Sequence, residues 1–472
     1  MDSKSSRTLG EGRGNAFIVF PKEGRTGDCE MLETPERIRE LQRKLYRKAK
    51  QEPNFRFYLL YDKAYRRDIL GHAYRLVRAN KGAPGVDGET FERIEEREGG
   101  AEGYLEQIAE ELRHKVYKPM PVRRVYIPKP DGKQRSLGIP TIKDRVVQMA
   151  VKLVIEPIFE ADFEDSSYGF RPRRSAHQAM EDVSSQLRMG KTQVIDADIS
   201  KYFDTIPHDK LLALVAKRIV DKHILRLIKL WLKAPVVEEG KDGKKRTEGR
   251  PKGTPQGGVI SPLLANIYLH VLDRIWKLKK VEERYRARLI RYADDFVVLC
   301  QGQTERVLKG IRAVLRGLEL TLNEEKTRVL DAREEKFHFL GFTLEVKQNP
   351  KTGKKFPLIT PSKAAMAEIR AEIKALTCRK NLGLPKEVVI RKLNELVRGW
   401  VGYFYYANCS HDLTKLKGFL DERVRIYLRR KHAKKSRGYK AYPYRYLYET
   451  LGLYKIPTTA PWTQTAKAFG RR

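Results

Sequence analysis

The stretch "RYADDFVVLC", residues 291–300, sets Asp294 and Asp295 side by side among apolar, strand-forming residues. The flanking runs "ARLIRY" and "FVVLC" read as the two arms of a hairpin with the aspartates at its tip. A second strand, "TQVIDADI", carries Asp196 and Asp198 two residues apart. Side chains alternate along a strand, so both project from one face. If the end of that strand neighbours the hairpin tip, three or four carboxylates meet in one small volume. Like charges a few ångström apart raise each other's pKa, so the arrangement calls for cations at this point.

Oxygen donors with no His or Cys nearby favour Mg²⁺ or Mn²⁺ over zinc. Two such ions on a few carboxylates can activate an attacking 3′-hydroxyl and neutralise a leaving pyrophosphate. Aspartate is also a common turn residue, and the spacing of Asp196 and Asp198 alone equally suits a sugar-nucleotide transferase. The surrounding residues have to decide.

Charge narrows the partners. The chain of 472 residues holds 96 Lys and Arg against 60 Asp and Glu, a formal charge of +36. Lys and Arg are spread along the whole length, which opposes compaction unless a polyanion offsets it and makes nucleic acid the leading partner class. The four cysteines, Cys29, Cys300, Cys378 and Cys409, form no CxxC pair, so neither a disulfide scaffold nor a zinc ribbon is available. The N-terminus lacks the apolar core of a signal peptide, and no later apolar run approaches about 18 residues. The expectation is a reduced, soluble, cytoplasmic protein without a membrane anchor.

Along the chain, residues 1–33 read as a flexible leader. In "TPERIRELQRKLYRKAKQ", Thr34 is placed to cap a helix and Pro35 to start it, with Ile38, Leu41 and Leu45 at helical spacing. "VRRVYIPKPDGKQRSLGIP" gives two extended runs around the turn Pro130-Asp131-Gly132, a hairpin studded with cations. In "ISPLLANIYLHVLDRIW", Ser261 is placed as cap and Pro262 as first residue, with Leu264, Ile267, Val271, Leu272 and Ile275 on one face. Mixed strand and helix up to about residue 345 gives way to mostly helical patterns.

The ordered blocks "NKGAPGVDG", "VYIPKPDGKQRSLGIP", "SYGFRPRRSAHQA", "DADISKYFD", "GTPQGGVISPLLANIYL" and "RYADDFVVL" resemble the proteins encoded by bacterial group II introns, reverse transcriptase and maturase in one chain. The resemblance spans roughly residues 75–430. It implies an α+β fold of the right-hand polymerase type, with fingers and palm over 75–350 and a helical thumb or maturase domain over 351–430; the residues themselves add a basic helical extension over 34–74 and a basic, tyrosine-rich, nucleic-acid-binding tail over 431–472.

It also implies roles. Asp198 and Asp294 match the metal ligands, with Asp295 beside them, and Asp196 lies outside the family motif. Phe203 matches an aromatic gate that excludes a ribose 2′-hydroxyl. Gln256 matches the glutamine beside the incoming nucleotide, with Gly257 and Gly258 leaving room for close backbone approach. Lys129 and Arg135, on opposite arms of the basic hairpin, match residues that clasp the triphosphate. Lys326 matches a lysine able to protonate or stabilise the leaving pyrophosphate. "FHFLGFTL", residues 337–344, resembles the strand pair that closes the palm over the primer, its Gly341 suited to close backbone contact. Trp400, Tyr403 and Tyr405 are placed either to stack on bases or to fill the core of the thumb.

The activity so implied is RNA-directed DNA synthesis with Mg²⁺, Mn²⁺ as substitute, on dNTPs, a DNA primer and group II intron RNA, together with assistance to splicing. Two other readings stay open: an intron-free relative used in repair or defence, and a splicing cofactor with an inactive polymerase site. No paired cysteines or His-rich site of a nuclease domain precede Arg472.

Overall fold

The computed structural model describes residues 32–128, 134–239 and 245–461. Its organising element is the helix Ile142–Glu160, whose Val146, Val147, Ala150, Val151, Val154, Ile155 and Ile158 are all 0% exposed. A helix apolar around its circumference needs partners on every side. The helices Glu36–Gln51 and Arg67–Ala79 pack along it, and the helix Ser261–Leu278 also touches it.

Ser261–Leu278 is buried more completely than a single apolar face implies. Every residue from Leu263 to Leu269 is buried, whereas Val271 and Ile275 are only half-buried. Ser261 does not cap it: Ile260 holds that position, and Ser261 Oγ instead accepts from Thr254 Oγ1 at 2.7 Å. The first helix is shifted by one residue as well, with Pro35 in the cap position and Glu36 starting the helix.

The strands form three sheets. β1 (Val122–Pro128) and β2 (Gln134–Ile139) pair antiparallel as the two arms of the cationic hairpin, and their turn lies outside the described residues. β4 (Val236–Glu239) runs parallel to β1 and pairs with β5 (Lys245–Glu248), giving the order β2-β1-β4-β5. The second sheet contains β3 (Gln193–Ala197), β6 (Arg288–Tyr292), β7 (Asp295–Cys300) and β8 (Arg328–Asp331), all antiparallel in the order β6-β7-β3-β8. One of its faces, with Ile195, Ala197, Phe296 and Val298, packs on the helices just described. The other, with Val194, Ile290, Val297 and Leu299, enters a second apolar core. Burial on both faces explains why "FVVLC" is continuously apolar instead of alternating.

That second core continues toward the C-terminus. β9 (Phe337–Phe339) and β10 (Phe342–Gln348) pair around Leu340 and Gly341, and β11 (Lys355–Pro361) adds a third strand to the expected pair. The helices Lys363–Leu376, Lys386–Phe404 and Ser410–Lys431 follow, and Tyr442, Leu447, Leu453 and Ile456 from the last described stretch join the same core. Trp400 and Tyr403 are buried in it, at 6% and 2% exposure. Among the described residues no helix is long and apolar enough to cross a membrane.

His270, on Ser261–Leu278, couples this packing to pH. Its ring stands edge-on to Phe163, centroids 5.4 Å apart, and Nδ1 lies 3.9 Å from Asp273 Oδ2. Burial outweighs the Asp273 charge and lowers its pKa from 6.5 to about 4. The unfolded chain therefore takes up a proton that the folded chain refuses. Stability is lost as pH falls through the window between the two values and is level below it. The loss approaches about 3 kcal/mol across that window. Thermal melts between pH 7 and 5 should show a steeper fall in Tm for the native chain than for His270→Gln, and parallel curves would assign the acid sensitivity elsewhere.

Candidate active site

The register of the second sheet determines where its carboxylates stand. On β3, Asp196 is opposite Val297 of β7 and Arg328 of β8, and Ala197 is opposite Phe296. Continuing that antiparallel register by one residue sets Asp198 opposite Asp295, the first residue of β7. Asp295 also pairs with Tyr292 of β6, leaving Ala293 and Asp294 as the connection. Asp196, Asp198 and Asp295 therefore share one face at one end of the sheet, with Asp294 in the adjoining turn.

Electrostatics agrees with the register. The Asp295 carboxyl is pushed well above the usual carboxylate range, first by burial and then by the charges of Asp196, Asp294 and Asp198. Asp196 is also raised, chiefly by burial; Arg328, whose Nη2 lies 3.4 Å from Asp196 Oδ2, opposes the rise, and the Asp198 charge adds to it. Asp198 Oδ2 accepts from Asn323 Nδ2 at 3.1 Å and lies 3.5 Å from Lys326 Nζ. Lys326 is thus brought to the acidic group.

The turn itself is strained. Ala293 has φ of 59°, in the left-handed region where a side chain is unfavourable. Arg291, fully buried, holds it there: Nη1 donates to the Ala293 carbonyl at 2.8 Å and to Asn266 Oδ1 at 3.0 Å, while Nε and Nη2 fork onto Asp273 at 2.9 and 2.5 Å. Asn266 Nδ2 donates in turn to the Gly169 carbonyl at 2.7 Å. A Cβ on Gly169 would stand 2.4 Å from the Ala293 nitrogen, so the "SYGF" segment fits the turn only with glycine there. Sequence reasoning missed Arg291, Asp273 and Asn266. The available signal was an Arg inside a buried strand and an Asn and Asp inside an apolar helix, each improbable without a partner.

Two other sequence-derived residues, Phe203 and Gln256, are tied to each other and to β2. Phe203, 8% exposed, meets Tyr202 edge-on at 5.5 Å, and its carbonyl accepts from the Thr254 amide at 2.7 Å. That bond ties it to the loop containing Gln256, whose own carbonyl accepts from the Gly138 amide of β2 at 2.7 Å. Gly257, at φ of 119°, passes so close to β2 that a Cβ would stand 2.5 Å from the Gly138 oxygen. Arg135 lies on β2 opposite Ile127, and Lys129 lies outside the described residues.

Comparison with known proteins decides the family. The model described as "Reverse transcriptase (RNA-dependent DNA polymerase)" matches residues 127–344, and that described as "Group II intron, maturase-specific domain" matches residues 366–445. Protein YkfC of Escherichia coli K12 is 38% identical over 344 residues, covering 65% of this chain and 88% of its own length. The group II intron-encoded protein LtrA of Lactococcus lactis is 31% identical over 357 residues, covering 62% of this chain and 57% of LtrA. The chain belongs to the group II intron reverse transcriptase and maturase family.

The reverse transcriptase match takes in the whole sheet β6-β7-β3-β8, and the maturase-specific match begins within the helix Lys363–Leu376 and runs past Ser410–Lys431. Reverse transcriptases depend on divalent metal, and the donor set suits one. Asp198, Asp294 and Asp295 offer only hard oxygen ligands, and their mutual repulsion is what a divalent ion relieves. Among the described residues no three acidic, His or Cys side chains are gathered into a ready-made cage. The Asp198 carboxylate is turned toward Asn323 and Lys326.

Removing one member of the Arg291–Asp273 pair should be costly. Arg291→Met leaves Asp273 buried and uncompensated, a loss of about 3–5 kcal/mol. Urea denaturation should show most of that recovered in Arg291→Met combined with Asp273→Leu. Primer extension by the double variant should stay depressed, because Ala293 has still lost its donor. Recovery of both together would mean that Arg291 serves stability alone.

Proposed function

We propose that this chain copies RNA into DNA at the Asp198, Asp294 and Asp295 cluster, with Mg²⁺, or Mn²⁺ in its place, on dNTPs and a DNA primer. Its RNA partner in this reading is a group II intron, which it both helps to fold for splicing and reverse-transcribes, in the cytoplasm. The observation that carries the reading is the β3–β7 register, which sets Asp198 opposite Asp295 beside the Asp294 turn.

Asp198, Asp294 and Asp295 are the residues that would hold the ions. Bound there, divalent ions supply activation of the primer hydroxyl and charge neutralisation at the leaving pyrophosphate. The remaining work falls to the chain's own groups. Lys326, half-free at 64% side-chain exposure and within 3.5 Å of Asp198, places a positive charge where a pyrophosphate oxygen would develop negative charge. Phe203 fixes the floor on which the sugar rests, and its backbone bond to Thr254 keeps that floor in register with Gln256. Lys129 and Arg135 on the fingers hairpin clasp the triphosphate. A net charge of +36 attracts the template and the intron non-specifically, through counterion release.

The deciding experiment is extension of a DNA primer on an RNA template with Mg²⁺ and dNTPs. The native chain should synthesise cDNA. Asp294→Asn should lose at least about a thousandfold in rate, the scale of effect expected when transition-state charge stabilisation is removed, while retaining RNA affinity and splicing assistance. Tight RNA binding with no synthesis by the native chain would leave only the splicing role.

Sugar selection offers an independent check. Phe203→Val should raise rNTP incorporation relative to dNTP by tenfold or more, on the order of 1.4 kcal/mol of lost discrimination. Unchanged selectivity would make Phe203 a core aromatic.

A further inference from the structure

Beyond the end of β3 the chain makes a second, short pairing with the segment that precedes β8. The Asn323 amide donates to the Asp198 carbonyl at 2.8 Å, Ile199 bridges Leu322, and the Ser200 amide donates to the Thr321 carbonyl at 3.0 Å. The Asn323 carbonyl then accepts from the Lys326 and Thr327 amides at 3.1 and 2.8 Å, in the turn that leads into β8. Both backbone groups of Asn323 are therefore engaged, and the residue is fixed in place. Its side chain meets a carboxylate of the candidate site: Asn323 Nδ2 donates to Asp198 Oδ2 at 3.1 Å.

The two carboxylates at this end of β3 are met differently. Asp196 faces a cation, with Arg328 Nη2 at 3.4 Å. For Asp198 the closer of its two side-chain neighbours is the neutral amide of Asn323, while Lys326 Nζ stands at 3.5 Å on a side chain that is 64% exposed. A cation beside a carboxylate offsets the charge that would attract a metal ion, whereas an amide orients the group and leaves that charge in place. Carboxylates that ligate metals are commonly held in this way by hydrogen bonds from neighbouring groups. Oδ2 is the oxygen so held, and among the described residues no hydrogen bond reaches Asp198 Oδ1.

We propose that Asn323 is a positioning residue for a divalent ion: it holds Asp198 through Oδ2 and leaves Oδ1 as the oxygen that binds the metal. The inference rests on the polymerase reading given above, which assigns Asp198 as a ligand, and it adds an uncharged residue that acts through Asp198. Two rival roles make different predictions. An amide that competed with the ion for Asp198 would weaken metal binding, so its removal would tighten it. An amide that served the turn alone would leave metal binding unchanged.

The test uses the full chain and Asn323→Ala, which removes the side-chain donor and keeps the backbone bond to the Asp198 carbonyl. Mn²⁺ binding is titrated through the electron paramagnetic resonance signal of the free ion, without primer or dNTP, alongside thermal melts in the absence of metal. The expected result is a roughly 10- to 100-fold rise in Kd for Mn²⁺, the scale of effect when a group that orients a metal ligand is lost. The Mg²⁺ concentration giving half-maximal primer extension should rise with it. An unchanged Kd in folded Asn323→Ala overturns the proposal and gives the amide to the turn, whatever the melting temperature does. A lower Kd overturns it in favour of competition. Should Asn323→Ala fail to fold, Asn323→Leu, which keeps the bulk of the side chain without its donor, carries the same comparison. Asp198→Asn keeps the two readings apart: Mn²⁺ binding by the native chain that this variant leaves intact, or no cDNA synthesis by the native chain, would instead sink the polymerase reading at Asp198.

Discussion

The side chains of Arg291 and Asp273 are both fully buried, and the fork between them joins the strand that leads into the Ala293–Asp294 turn to the helix Ser261–Leu278. Burying two charges is expensive even when they are well paired. Packing alone does not call for this pair, since apolar residues of similar volume fill such a space at least as stably. What they could not do is donate to the Ala293 carbonyl and to Asn266 at once. A left-handed alanine between two strands persists only when its surroundings over-determine it. Here the guanidinium does so from one side and Gly169 from the other. The placement of Asp294 and Asp295 depends on that arrangement.

The same sheet joins the Ala293–Asp294 turn to the maturase-specific helices. One of its faces belongs to the core of the N-terminal helices and the other to the core that contains Lys386–Phe404 and Ser410–Lys431. Contacts across the second core are specific in geometry. Tyr403 OH donates to the Leu340 carbonyl at 2.9 Å, His177 Nε2 lies 2.6 Å from the Tyr403 carbonyl, and Tyr406 stacks on His177 with ring centroids 5.4 Å apart. Gly341 turns at φ of 79° directly beneath Phe404. Tyr403, Phe404 and Tyr406 thus form a joint between the helix Lys386–Phe404 and the elements of His177 and Gly341. Surface tyrosines are used differently: Tyr439 and Tyr444 both lie over the Arg425 guanidinium, at 4.9 and 4.5 Å. That pairing docks two tyrosines of the last stretch on a buried cation of the helix Ser410–Lys431.

Much of this was legible in the sequence because it follows from period and residue type. Strand alternation put Asp196 and Asp198 on one face, and the paired apolar runs gave the hairpin that ends in Asp294 and Asp295. What was not legible depends on partners far apart in the chain. Ser261 looks like a helix cap, but its hydroxyl is taken by Thr254 across the loop. Ser261–Leu278 looks amphipathic because Asn266 and Asp273 count as polar, yet both are buried, their side chains used by Arg291. No local pattern announces a polar residue whose partner lies on another element. β11 escaped notice because Pro357 and Pro361 interrupt it, and proline in a strand reads as a break until an edge position accommodates it.

The glycines around Gln256 tie the β1–β2 hairpin to the segment that holds Phe203. Gly138 of β2 gives its amide to the Gln256 carbonyl, Gly257 lies against the Gly138 oxygen, and Gly253 lies against the Phe203 and Asp204 carbonyls. These are contacts of backbone with backbone at distances no side chain could fit between. A side chain can rotate away when a strand shifts; a peptide bond packed on a peptide bond cannot. Displacement of β2 is therefore passed to Gln256 and onward to Phe203 with little loss, because interiors packed at this density transmit strain. The β1–β2 hairpin and the loop of Gln256 are thereby held in one register, and a shift of either is a shift of both.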